Sequence, residues 1–302
     1  MKLNNTFVLF DSGGVSKKED WQKAHAVIQA AVEAMAWPAG SAEGLVIPKI
    51  VSIKKEEEYI DKTGKTRQWK KKKALTLRNG VVPLKELFRA NLQQAGWKPE
   101  EPLSLAPYFE TIRADKTLAQ VFRYPVANSE TIIDALHEGV GDFDFWLRSP
   151  EGFRTVVEWE TGNISSSHRS LNKICLALMG DLIDAAVVIV PSNKLSVHLT
   201  DRVGNIRELQ PYFYFWSVIG RSVNKGLLAV IEVEHDSLFN SKDARDFIPR
   251  GDDGNAPKSG RKKRTTKEPP RKRAKRAKGR SASQPSATLD QSHLPLPPSD
   301  AV

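Results

Sequence analysis

The sequence has one cysteine, Cys175, in 302 residues, so the chain cannot form an internal disulfide. That fits a reducing compartment, and a cytoplasmic location is expected. Cys175 lies in the apolar run ICLALM, where a buried, inert thiol is the expected state. No apolar run is long enough to cross a bilayer, and the early one in MKLNNTFVLFDSGG is too short for a secretory signal. No membrane partner is expected. The six histidines are scattered and give no ligand spacing. Internal repeats are also lacking.

A composition of 40% hydrophobic and 27% charged residues is that of an ordinary globular chain. The net charge of +10 matters less than where it lies. Residues 258–280 hold 13 Lys and Arg against one acid, Glu268, and only Asp290 and Asp300 follow. Setting these aside from totals of 46 bases and 36 acids leaves 33 of each in residues 1–254. The body is neutral and the excess is all tail. Residues 255–302 are Pro-, Ser-, Lys- and Arg-rich with almost no large apolar side chains, so a disordered basic tail is expected. Such a tail would hold polyphosphate non-specifically, resemble an import signal, or be a plain solvated extension. A second charged stretch, KKEEEYIDKTGKTRQWKKKK at 54–73, reads as an exposed hairpin turning at Thr63, Gly64 and Lys65. It either touches DNA phosphates or is simply solvated.

Residues 18–38 are Ala-rich with helical apolar spacing and stop at Pro38. VPLKELFRANLQQAGW reads as a second helix, with Pro83 in its first turn and Gly96 past its end. Residues 104–138 contain further helical material, including SETIIDALHEG with Ser129 as cap. DFDFWLR and FRTVVEWE, separated by SPEG, read as a strand hairpin. ISSSHRSLNKICLALMG reads as a helix capped near Ser165 or Ser166, and IDAAVVIVP as a strand covered on both faces. LSVHLTDRVGN, PYFYFWSVI and LLAVIEVEH supply more strand and connecting structure. The expected fold is one α/β domain over 1–254, a mixed central β-sheet sandwiched by helices.

Alternate strand residues share a face, so Glu158 and Glu160 project together, as do Asp142 and Asp144 on the preceding strand. Gathered on one sheet edge, these carboxylates need protonation, a Lys or Arg partner, or a divalent cation. Oxygen ligands without His or Cys suit Mg²⁺ better than Zn²⁺. A glycosidase also uses two carboxylates, but it places them about 5–9.5 Å apart across a sugar, which i and i+2 neighbours rarely achieve. Solvent-facing charges on an edge strand are the ordinary alternative.

Asp144 followed fourteen residues later by Glu158-x-Glu160 resembles the PD-(D/E)xK nuclease core with Glu in the usual Lys position. EWETGNISSSHRSLNK is similar to one branch, the BamHI-type type II restriction endonucleases. GVVPLKEL, WKPEEPL, LTDRVGNIRELQPYF and IPRGDDG resemble other segments of that family in the same order. The resemblance implies a restriction endonuclease-like fold. It implies that Asp144 and Glu158 ligate one or two Mg²⁺ ions, with Mn²⁺ able to substitute, and that Glu160 acts as general base or orients the attacking water. Glu100, with neighbouring Glu101 as the alternative, would be the further acid at the metal site, and Lys85 a basic residue beside it. Asp142 stands where the family pattern has Pro, and about forty residues are inserted after Glu101.

The same resemblance gives the base-reading set. Asn163 and Ser165 would meet a base edge, Arg169 would follow one turn on, and Asp201 with Arg202 would read a G·C pair. Asp253 would accept a further hydrogen bond, and Gly251 would let backbone approach the duplex. Taken singly, each has an ordinary structural role: a cap, a surface ion pair, a turn. Together they imply GGATCC as the site and a homodimer that reads the palindrome one half-site per subunit. A cognate DNA methyltransferase is then expected in the host. The alternatives are a DNA-binding protein that does not cut and a repair or junction nuclease on the same core.

Overall fold

A computed structural model describes residues 1–101, 142–160, 162–200 and 203–250, with side chains at 99–101 left aside. The insertion after Glu101, the helix expected after Ser129 and the tail expected from 255 lie outside the described residues.

Six strands build the main sheet: β1 (Lys2–Ser12), β2 (Lys98–Glu101), β3 (Phe143–Arg148), β4 (Arg154–Trp159), β5 (Ala185–Pro191) and β6 (Gly226–Glu234). Their order is β1-β6-β5-β4-β3-β2. β4, β5 and β6 run parallel, while β1, β3 and β2 add antiparallel pairs outside them. The helices are α1 (Glu19–Glu33), α2 (Val82–Gln94), α3 (Ile164–Met179) and α4 (Phe213–Ile219), joined by shorter turns.

The central strands explain the layering. All seven residues of β5, AAVVIVP, are buried, so neither face has a polar alternate to offer water. Ala185, Val187 and Ile189 share one apolar cluster with Ile28 and Val32 of α1 and Phe88 and Leu92 of α2. Ala186 and Val188 share the other with Leu171, Ile174 and Leu178 of α3 and Trp216 of α4. Helices thus cover both faces of a mixed sheet, the α/β class expected. Cys175 is buried in the second cluster, and burial pushes its thiol up to about 12, which keeps it unreactive.

PYFYFWSVI departs from its strand-like composition. It is helical, a 3-10 turn at Gln210–Tyr212 followed by α4. The upstream Asn205–Glu208 capping box starts the helical run, Pro211 sits in a first turn, and Phe213 and Trp216 are three apart on the face that meets the core. Local capping overrides aromatic β-propensity here. The NNTFVLFDS run becomes edge strand β1, antiparallel to β6, with register shifts at Leu3/Asn5 and Val8/Phe10. Residues 54–73 do form a hairpin: Glu58–Ile60 pairs with Thr66–Gln68, and Gly64 takes φ +81° at the turn.

Candidate active site

Register across three strands sets the site. β3 pairs with β4 so that Phe145 faces Val157, which brings Asp144 level with Glu158. β2 pairs Pro99 with Phe145 and Glu101 with Phe143, which brings position 100, rather than 101, level with Asp144. Backbone positions 100, 144 and 158 therefore form one row across β2, β3 and β4. The side chains of Glu100 and Glu101 lie outside the described residues.

Asp144 is fixed from two directions. Lys85 Nζ donates to its Oδ1 at 2.6 Å, and the Trp159 amide donates to its Oδ2 at 2.9 Å. The PLKELF sequence explains the first contact. Lys85 and Phe88 are three apart on α2, hence on one helical face, and the Phe88 ring lies 4.8 Å from Trp159 and 5.3 Å from Phe145. Aromatic packing against the hairpin thus aims the lysine at its carboxylate.

Glu158 and Glu160 both turn towards α3, as alternate strand positions should. Glu158 is 5% exposed, and its Oε1 is ion-paired with Lys173. The same ammonium donates to the Asp142 carbonyl at 2.7 Å and lies 4.4 Å from the Phe143 ring centre. Burial, then the neighbouring Asp144 charge, raises Glu158 to about 7 against the pull of Lys173. Glu160, also 5% exposed, accepts through Oε2 from Ser167 Oγ at 2.9 Å and from Ser166 Oγ at 3.3 Å. Lys173 and the two serines were missed in the sequence. The available signal was spacing: Lys173 follows Ser166 by two helical turns, so both sit on the face toward the sheet edge.

The donor chemistry is carboxylate oxygen without Cys or His, which suits a hard divalent cation. Asp144 and Glu158 fit such an ion as a pair, with position 100 next in the row. Among the described residues, no three His, Cys, Asp or Glu side chains converge on one point.

The N-cap of α3 is Asn163 rather than Ser165 or Ser166. Its Oδ1 accepts from the Ser165 and Ser166 amides at 3.0 and 3.2 Å, so only its amide nitrogen is left without a partner among the described residues. Ser165 and Arg169 are exposed one turn apart on α3. His168 turns inward, its ring 4.5 Å from Tyr212. Asn163 and Ser165 line a cleft of about 570 Å³ whose other wall includes Asn193, Ser196, Asn205 and Glu208. Gly204 closes the approach between these walls, because a Cβ there would meet Ser167 Oγ at 2.7 Å. Asp201, Arg202, Gly251 and Asp253 lie outside the described residues.

The chain leading to those last four residues is nonetheless anchored at one point. Asn79 is fully buried, and its Nδ2 donates to the carbonyls of Pro48 and His198 at 2.9 and 3.1 Å. Its Oδ1 accepts from the Ile248 amide at 3.2 Å, and its backbone carbonyl from the Thr200 amide at 2.7 Å. Gly80 follows, packed so closely that a Cβ would stand 2.0 Å from the Pro249 carbonyl. One asparagine thus ties the segments that run into Asp201 and Gly251 to the start of α2.

A family profile described as "Restriction endonuclease BamHI" matches residues 1–255. The chain is 36% identical over 179 residues to the type II restriction enzyme OkrAI of Oceanobacter kriegii, covering 59% of this chain and 74% of that one. It is 32% identical over 182 residues to the type II restriction enzyme BamHI of Bacillus amyloliquefaciens, covering 60% and 70%. A solved complex of restriction endonuclease BglII with a DNA 16-mer superposes with a TM-score of 0.45 at 11% identity, over 78% of this chain and 79% of that one.

Proposed function

This chain belongs to the BamHI family of restriction endonucleases, and on that premise we propose that it cuts both strands of palindromic GGATCC. The products would be 5′-phosphate and 3′-hydroxyl ends. The observation that carries this reading is the register that lines up positions 100, 144 and 158, with Glu160 following against the first turn of α3.

A phosphodiester repels hydroxide, so its hydrolysis needs compensating positive charge and a positioned water. Asp144, Glu158 and Glu100 would hold Mg²⁺, one or two ions per site, with Mn²⁺ as a substitute. Bound there, the metal would neutralise the phosphate and make water more acidic. Glu160, oriented by Ser166 and Ser167, would take the proton of the attacking water or orient it. Lys85 holds Asp144 on the side facing α2. Asn163, Ser165, Arg169, Asp201, Arg202, Gly251 and Asp253 would read the half-site.

A palindrome calls for two-fold symmetry, so the working form would be a homodimer. Exposed Tyr212, Tyr214 and Phe215, where the 3-10 turn leads into α4, support self-association. The body would be residues 1–254, with 255–302 a basic tail that adds non-specific affinity. Among the described residues no helix is long and apolar enough to cross a membrane. The enzyme would act in the cytoplasm, beside a methyltransferase that protects the same sequence.

Digestion of a plasmid with Mg²⁺ at limiting enzyme, followed by sequencing of the ends, tests the proposal. Cuts confined to GGATCC are expected. Binding to GGATCC with both Ca²⁺ and Mg²⁺, but cutting with neither, would make this a DNA-binding protein without cleavage.

A further inference from the structure

The site leaves one built feature unused. Residues 54–73 carry nine Lys and Arg against four acids, which leaves the remainder of 1–254 with 24 bases and 29 acids. The phosphate attraction of this body is therefore concentrated in the hairpin rather than spread over its surface.

Its acids are largely spent on local pairs. Glu56 pairs with Lys55, Asp61 with Arg67 at 2.8 Å, and Glu57 with Lys242 at 3.1 Å. Lys70, Lys71, Lys72 and Lys73 are exposed and form no ion pair among the described residues. They are also held in place. The Trp69 indole N–H donates to the Lys73 carbonyl at 2.7 Å, which bends the lysine run back on itself. Lys71 Nζ lies 5.6 Å from the Trp69 ring centre, and Tyr59 packs against that ring at 6.3 Å. Backbone bonds from Glu56 to Trp69 and from Trp69 to Glu57 close the end of the hairpin. A cationic turn fixed in this way loses little freedom when it meets phosphate.

Position gives the occupant. Of the stalk strands, Leu75–Leu77 leads into Asn79 and Val51–Ile53 follows Pro48, whose carbonyl Asn79 holds; the same residue fastens the segments before Asp201 and Gly251. The hairpin is rooted where the base-reading segments begin.

We infer that this hairpin grips the phosphate backbone of double-stranded DNA outside the recognition hexamer. The inference rests on the DNA-cutting reading above and adds a second, sequence-independent contact to it. Phosphate contacts hold register and add affinity without reading bases.

The test uses the full chain with Lys70→Gln, Lys71→Gln, Lys72→Gln and Lys73→Gln combined, its fold checked by thermal melting. Binding with Ca²⁺ is measured over a salt series on two duplexes. One ends close to GGATCC, and the other extends about two helical turns, roughly 20 base pairs, beyond it on each side. The unaltered protein should prefer the long duplex. In the variant that preference should shrink to what the tail supplies, and the slope of log affinity against log salt should flatten by about 7 for the dimer, four lysines in each of two hairpins at about 0.9 per phosphate. Discrimination between GGATCC and a scrambled site should stay as it was. Replacing the same lysines with Glu should reduce the length preference further. An unchanged slope and length preference in both variants would overturn the inference. If instead the unaltered protein fails to distinguish GGATCC from the scrambled site, the cleavage-site reading falls while the length comparison still scores the hairpin.

Discussion

Lys173 and Glu158 form an ion pair between α3 and β4 with side chains only 8% and 6% exposed. The ammonium is also held by the Asp142 carbonyl and the Phe143 ring, so a helix residue fixes the orientation of a strand carboxylate and opposes, without cancelling, the effect of its burial. Lys173→Met keeps the methylene packing and deletes the charge. Breaking one side of a buried pair costs about 3–5 kcal/mol. Urea denaturation should show a loss of that order, and adding Glu158→Gln should recover part of it. A double variant as unstable as the single one would show that the pair is not what stabilises this edge.

The pH dependence follows from the same carboxylate. Glu158 is raised from 4.5 to about 7, so the folded chain holds this proton more tightly than the unfolded chain. Its contribution to stability is complete below 4.5 and is lost as pH rises towards 7. Urea midpoints should therefore fall across that window in the metal-free protein, and Glu158→Gln should flatten the fall. Mn²⁺ affinity should move the opposite way, strengthening as the carboxylate loses its proton. Both trends are read in parallel titrations.

Glu158→Ala and Glu160→Lys should abolish cutting while GGATCC binding in Ca²⁺ remains detectable. Loss of a general base alone is worth about 10²- to 10⁴-fold. Single-turnover cleavage and gel-shift assays on the same preparations separate the two effects. Unaltered cleavage rates would remove these residues from the proposed chemistry.

Gly80→Ala pushes a methyl into the Pro249 carbonyl and the Arg250 Cα. Neither atom belongs to a flexible side chain, so backbone must shift at about 1–3 kcal/mol. The shift falls next to Gly251. The expected result is a modest drop in melting temperature together with weaker discrimination of GGATCC from single-base variants, measured by competition binding.

Truncation before Lys258 should weaken salt-sensitive, non-specific binding and leave site choice intact. Loss of site preference in the shortened chain would reject the passive role given to the tail.

Much of the sheet was legible because apolar periodicity carries it. The β3–β4 hairpin, α2 with Pro83 and Gly96, and the continuous run of β5 follow from residue pattern alone. PYFYFWSVI was not legible, because its aromatics favour strand and only the capping box upstream directs a helix. β1 was hidden by polar residues that suit an edge strand with bulges. At the site, spacing within one strand announced Glu158 and Glu160. The alignment of positions 100 and 144 with Glu158 depends on register between strands, and the Lys173 contact on packing of α3 over the sheet. Neither is written in local sequence.

Asn79 has a consequence beyond anchoring. Its amide bonds to the chain at Pro48, His198 and Ile248, so a pull on the basic arm would reach the segments that lead to Asp201 and Gly251 together. Sequence-neutral contacts with outlying DNA would then adjust how strictly the hexanucleotide is judged, and the bases around a site would influence its rate of scission without ever being read.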